Sequence, residues 1–132
     1  MEKLEIEATE FSPHVILSSQ PTRFEISGES RPENTGRFYT PIINWLKEYK
    51  LYLSTNKRTN PQSPLIFEFK FEYFNSTSAK YIMDILFELD SFRADDYHFM
   101  VKWYADTLDE DMKEAGEEFS KLIEVPFEFI ER

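Results

Sequence analysis

Leu65-Ile66-Phe67-Glu68-Phe69-Lys70-Phe71-Glu72-Tyr73-Phe74 runs straight into Asn75-Ser76-Thr77-Ser78-Ala79-Lys80, and the change of rhythm between them decides the fold. In the first stretch Leu65, Phe67, Phe69, Phe71 and Tyr73 alternate with Glu68, Lys70 and Glu72. Successive side chains of a strand point to opposite faces, so this period predicts a strand with one apolar and one charged face. From Ser76 to about Phe92 the period lengthens: Ile82, Ile85, Leu86 and Leu89 recur at the three- and four-residue spacing of an inward helical stripe. A strand therefore hands over to a helix at residues 75–78.

Shorter strands lie on either side. Leu4 and Ile6 alternate with Glu5 and Glu7, Val15 and Leu17 flank Ile16, and Phe24 and Ile26 alternate with Glu25 and Ser27. Phe99, Val101 and Trp103 oppose His98, Met100 and Lys102, and Phe127 to Ile130 forms a last short strand after Pro126. Phe38, Ile42, Trp45, Leu46 and Tyr49 make a helical stripe that contains Pro41. That helix either starts with Thr40 as N-cap and Pro41 at its first position, or begins earlier and is kinked there. A third helix starts near Asp109 and is expected to bury Met112, Ala115, Phe119 and Leu122. Residues 55–64 read as a mobile polar loop.

Strict alternation means a sheet packed on one face and wet, or only thinly covered, on the other. Strands joined through helices become parallel neighbours by right-handed crossovers, and the opening hairpin-like segments make the sheet mixed. The expected fold class is α/β, with a mixed sheet and helices mainly on one face, as a single domain over residues 1–132.

Composition narrows the function. The 132 residues include 13 Phe, so a core is attainable although 30% of residues are charged. With no Cys there is no disulfide framework, thiolate nucleophile or Cys-ligated zinc. No apolar run reaches the roughly 20 residues of a membrane helix, and Met1 to Glu7 lacks the plan of a signal peptide. A cytoplasmic protein is expected. The net charge of -10 repels phosphate backbones and anionic lipid, so neither nucleic acid nor membrane is an expected partner. Asp106, Asp109, Glu110, Asp111, Glu114, Glu117 and Glu118 oppose only Lys113 within residues 106–118, which makes an acidic surface near the C-terminus.

The strand-to-helix junction is where open α/β sheets place function. Free N–H groups and the helix dipole favour a negative group there, and three hydroxyls, Ser76, Thr77 and Ser78, follow Asn75. The same residues also make an ordinary N-cap with spare polar neighbours. His14 and His98 are far apart and read as surface or half-buried histidines. The acidic run lacks EF-hand spacing, so no metal is expected, and Glu68 and Glu72 with Lys70 between them suit cross-strand ion pairing better than acid–base chemistry.

Phe74-Asn75-Ser76-Thr77-Ser78-Ala79-Lys80 resembles the Asn-Thr-Ser-Ser-x-Lys signature of the SiaC-type regulatory phosphoproteins. Ser30-Arg31-Pro32-Glu33-Asn34, Asn44-Trp45-Leu46, Val101-Lys102-Trp103-Tyr104, Asp109 to Glu117 and Val125-Pro126-Phe127 extend the resemblance, in the same order, over nearly the whole chain. It implies a STAS-like fold, similar to anti-sigma-factor antagonists, and a partner-switching function without catalysis or cofactor. A Ser/Thr kinase of the anti-sigma-factor type would phosphorylate the hydroxyl after the Asn, and a PP2C-type phosphatase would reverse it. The unphosphorylated form would bind an effector such as a diguanylate cyclase, linked to cyclic di-GMP and biofilm behaviour. Ser76 stands where the best-known branch has Thr, which makes Ser76 the first expected acceptor and Thr77 the second. Asn75, Ser78, Lys80, Glu33 and Asn34 are the expected partner-binding residues. A constitutive adaptor is the alternative, and a small enzyme using carboxylates and a His a more distant one.

Overall fold

In a computed structural model the structure describes residues 1–58 and 61–132. Thr59 and Asn60, within the loop expected over residues 55–64, lie outside the described residues. The strands are β1 (Leu4–Ile6), β2 (His14–Ser19), β3 (Thr22–Ser30), β4 (Leu65–Phe74), β5 (Phe99–Ala105) and β6 (Phe127–Glu131). The helices are α1 (Thr35–Thr55), α2 (Ser76–Ser91), followed by a 3-10 turn at Phe92–Asp95, and α3 (Glu110–Ser120). All six strands form one sheet in the order β1-β2-β3-β4-β5-β6. The pairs β1/β2 and β2/β3 are antiparallel, and the pairs β3/β4, β4/β5 and β5/β6 are parallel.

Each parallel step advances one strand in the same direction through one helix, so crossovers of a common hand put all three helices on one face. The apolar rows of the strands turn to that face. Phe24, Ile26, Phe67, Phe69, Val101 and Trp103 from the sheet meet Ile42, Leu46, Ile82, Ile85, Leu86 and Leu89 from α1 and α2 in one core. Burying each such side chain stabilises the fold by about 1.5–3 kcal/mol, which is why the period of two survives in every central strand. On the uncovered face Lys70 bonds Glu25 at 3.0 Å across β3 and β4, and the Tyr104 hydroxyl donates to Glu68 at 2.5 Å. Lys70 thus makes the cross-strand ion pair expected of this face, whereas Glu68 meets a neutral phenol across the strands and pairs with Lys70 only along its own strand, at 3.8 Å.

Two expectations need correcting, and the open start of α1 resolves to the earlier of its two alternatives. The helix begins at Thr35: Asn34 is its N-cap, accepting from the Arg37 N–H at 3.0 Å, and Pro41 sits inside the helix. An exposed side for Pro41 and two turns of packing by Phe38 and Tyr39 outweigh the lost hydrogen bond. Tyr73 does not share the inner face with Phe71. The β3/β4 register moves from Gly28↔Phe71 to Glu29↔Tyr73, so Glu72 is an extra residue. This bulge turns Tyr73 out, where it is 49% exposed, and brings Phe74 in against Phe71, Trp103 and Phe119. Leu122 lies beyond α3 and is 61% exposed instead of buried.

Candidate functional site

The bulge sets the chain's exit from β4. Immediately after it the Asn75 N–H donates to the Ser30 carbonyl at 3.1 Å, tying the end of β4 to the end of β3. Asn75 is the N-cap of α2, its side chain accepting from the Ser78 N–H at 2.9 Å. The three hydroxyls that follow project from one turn in three directions, and each meets a different environment.

Ser78 points inward and is fully buried. Ser30 Oγ donates to Ser78 Oγ at 2.9 Å, Ser78 Oγ donates to the Ser30 carbonyl at 3.1 Å, and the Tyr39 hydroxyl closes the chain on Ser30. Burial pushes the Tyr39 phenol up to about 12, against the opposing pull of its bonds to the two serines, so this network stays neutral at ordinary pH. It pins β3, α1 and α2 together where their ends meet. Ser78 was expected among the partner-binding residues. With no exposed surface, it instead holds the turn in place.

Thr77 is exposed but engaged. Its hydroxyl donates to Asn75 Oδ1 at 3.1 Å and accepts from the Thr35 hydroxyl, in the first turn of α1, at 3.3 Å. Ser76 is exposed too, and among the described residues no hydrogen bond engages its hydroxyl. Lys80, one turn on, pairs with Asp84 at 3.4 Å and lies over the Tyr81 ring.

The first turns of α1 and α2 lie side by side, which brings Glu33 and Asn34 to the same surface as Asn75, Ser76 and Thr77, 41 or more residues away in the chain. Gly36 makes the approach possible: a Cβ there would come within 2.8 Å of the Tyr81 hydroxyl, whose ring stacks on Tyr39 at 5.8 Å. The sequence alone did not single out Thr35, Gly36, Tyr39 or Tyr81. A glycine in the first turn of a helix is the one signal that could have hinted at a close neighbour. Beside this surface a groove of about 430 Å³ is lined by Phe11, Pro32, Asn34 and Arg37.

The remaining titratable clusters are superficial. His14 meets Glu5 at 3.3 Å, with Glu7 nearby, at the β1 edge. His98 meets Asp96 at 2.9 Å with both side chains largely exposed, at 61% and 95%. The His98 pair is so well solvated that it is ordinary surface electrostatics, while the His14 pair is partly shielded at the sheet edge. Among the described residues, the cavity of about 560 Å³ at the far end of α1 is lined by Ser19, Gln20, Tyr49, Tyr52, Asn56 and Arg58 without a carboxylate or His. Among the described residues, no helix is long and apolar enough to cross a membrane.

The chain is similar to known proteins over nearly its whole length. A protein of Pseudomonas aeruginosa (strain UCBPP-PA14), itself uncharacterised, is 28% identical over 127 residues that cover 96% of this chain and 94% of that one. The crystal structure of apo-SiaC from Pseudomonas aeruginosa superposes with a TM-score of 0.82 at 27% identity, over 98% of this chain and 99% of the other. The structure of the diguanylate cyclase SiaD in complex with its activator SiaC, also from Pseudomonas aeruginosa, matches with a TM-score of 0.83 at 26% identity and the same coverage. Residues 6–132 match the family described as SiaC family regulatory phosphoprotein, and this chain belongs to that family.

Proposed function

We propose that this protein is a phosphorylation-controlled partner switch, with Ser76 as the acceptor and Thr77 as the second choice. The observation that carries the reading is the sorting of hydroxyls at the head of α2. Ser76 is exposed and unengaged, Thr77 is held between Asn75 and Thr35, and Ser78 is buried. A kinase needs an accessible hydroxyl that it can reorient, and Ser76 fits that requirement best.

A phosphoryl group brings a charge of about -1.5 to -2 and three strong acceptors. At the first turn of α2 the helix dipole offsets part of that charge by about 0.3–1 kcal/mol, and the buried Ser30–Ser78–Tyr39 network lies beneath it untouched. The domain therefore stays folded when modified. A partner packed over an uncharged Ser76 would instead have to desolvate a dianion, a cost of several kcal/mol that lowers occupancy by orders of magnitude. In this reading a Ser/Thr kinase of the anti-sigma-factor type writes the mark and a PP2C-type phosphatase removes it. The unphosphorylated form captures an effector, for which the cyclase complex of the related SiaC suggests a diguanylate cyclase. Asn75, Lys80, Glu33 and Asn34 border the contact surface.

Intact-mass and phosphopeptide measurement of protein from the native cell tests the mark, with a single phosphate at Ser76 as the expected result. Partner capture by Ser76→Ala, Ser76→Asp and the matching Thr77 variants tests the switch. Retention by Ser76→Ala with loss in Ser76→Asp supports it. Equal capture by all four variants refutes it and leaves a constitutive adaptor.

A further inference from the structure

The uncovered face of the sheet ends, on the β1 side, in a cluster that the α2 junction does not use. Leu4 and Ile6 pack against the core, and a strand alternates its faces, so Glu5 and Glu7 project from the other side. On β2, Val15 and Leu17 lie in the core, which sends His14 out to the same uncovered face. The antiparallel register aligns the three. Glu5 lies opposite Ile16 and Ile6 opposite Val15, so one step on Glu7 comes level with His14, and Glu5 stands diagonal to it. Two carboxylates and an imidazole thus converge from two adjoining strands.

One oxygen of each carboxylate and one ring nitrogen of His14 all lie within 4.8 Å of one another, and among the described residues no other such trio occurs. His14 Nε2 and Glu5 Oε2 are 3.3 Å apart. A zinc ion holds imidazole nitrogen and carboxylate oxygen at about 2.0–2.2 Å in a tetrahedron, whose edges are then about 3.3–3.6 Å. The His14–Glu5 pair already spans such an edge. Glu7 has to close by about 1.5 Å at most, and its exposed side chain has the free torsions to do so. Charge favours an ion as well. Lys3 bonds Glu5 Oε1 at 3.1 Å and leaves Oε2 to His14, while among the described residues Glu7 has no ion pair or hydrogen bond. Two carboxylates this close repel at neutral pH, and a divalent cation between them removes the repulsion.

We propose that Glu5, Glu7 and His14 form a binding site for a divalent transition-metal ion of the zinc class, with water completing the tetrahedron. Three protein ligands and one open position are a set that zinc accepts. The imidazole selects against magnesium and calcium, which take oxygen ligands. Bound there, the ion clasps β1 to β2. Strand β1 is three residues long and stands at the edge of the sheet. It is tied to α1 only just before its start, where the Trp45 N–H donates to the Glu2 carbonyl at 2.8 Å. Two ligands on the β1 side and a third on β2 bridge the outermost pairing of the sheet at its other end.

The test uses the full chain with no added histidines, so that His14 and His98 are its only imidazoles. Zinc chloride is titrated in at neutral pH, with calorimetry reading the stoichiometry and side-chain NMR reading the two rings. The expected result is one equivalent bound, with the His14 ring signals shifted and those of His98 unmoved. Magnesium or calcium in about tenfold excess does not displace the zinc. His14→Ala and Glu7→Gln each weaken binding by about tenfold or more, whereas His98→Ala does not. Amide exchange at Leu4 to Ile6 slows by about the ratio of free zinc to its Kd. The ring signals are read in the unaltered chain, so a variant that fails to fold does not decide the outcome. Zinc that moves His98 instead, binds the His14 and Glu7 variants as it binds the parent, or leaves the His14 ring unshifted in excess overturns the site. One equivalent at His14 without slower exchange keeps the site and overturns the clasp.

Discussion

Replacing Gly116 by alanine tests how rigidly α3 is seated on the sheet. A Cβ at position 116 would lie 2.4 Å from Trp103 Cδ1, 2.6 Å from Nε1 and 2.8 Å from Cγ. Ordinary carbon contacts lie near 3.5–4.0 Å, so the indole or the helix must move by about 1 Å. The indole is poorly placed to yield. It is 1% exposed, its N–H donates to the Met112 carbonyl at 3.0 Å, and the rings of Phe69, Phe74, Phe119 and Phe127 surround it. Overpacking of this kind costs about 1–3 kcal/mol, and a clash with a clamped aromatic belongs at the upper end. Alanine recovers about 1 kcal/mol because it is the better helix former. The net expectation is a loss of about 2 kcal/mol. For a chain of this length that lowers Tm by roughly 6–10 °C. Thermal unfolding followed by circular dichroism reads the loss, and tryptophan fluorescence reads the displaced indole. A Tm equal to or above that of the parent would show that α3 shifts freely and that Trp103 does not fix its distance from the sheet.

Ser78→Ala removes a link of the buried Ser30–Ser78–Tyr39 chain and should cost about 2 kcal/mol in urea unfolding, whereas Ser76→Ala should stay within about 0.5 kcal/mol. Equal costs would mean that the two hydroxyls are not sorted as described. Asn75→Ala loses the α2 cap and should cost about 1 kcal/mol by the same assay. Burial pushes the Tyr49 phenol up to about 12, from an unfolded value near 10. A raised folded pKa means that the unfolded chain ionises first, so this stability is complete below about pH 10 and is lost as pH climbs toward 12. Tyr49→Phe should therefore lose less stability than the parent between pH 9.5 and 11.5, and parallel pH profiles would exclude that role for Tyr49.

The fold was legible because its elements are written in local periods. The alternation of Phe67, Phe69 and Phe71, the stripe of Ile82, Ile85, Leu86 and Leu89, and the caps Asn75 and Asp109 each depend on neighbours within a turn or a strand. The bulge at Glu72 escaped because it comes from pairing with β3, and nothing in the β4 sequence interrupts the alternation there. The start of α1 stayed open between two alternatives because Pro41 also reads as a beginning; the packing of Phe38 and Tyr39 carries the helix back to Asn34. Leu122 reads as a continuation of the α3 stripe, but the helix ends at Ser120.

By itself the sequence determined the kinds of element, their order, the one-sided sheet, the acidic surface and the junction at residues 75–78. Short-range periodicity and capping chemistry suffice for all of these. Only the tertiary structure decided which of three adjacent hydroxyls is free. Ser76, Thr77 and Ser78 are chemically alike, and a helix turns each by about 100° from the last, so their fates depend on what stands beside them. Ser30, Tyr39 and Thr35, at least 37 residues away along the chain, bury one hydroxyl, engage the second and leave the third in water.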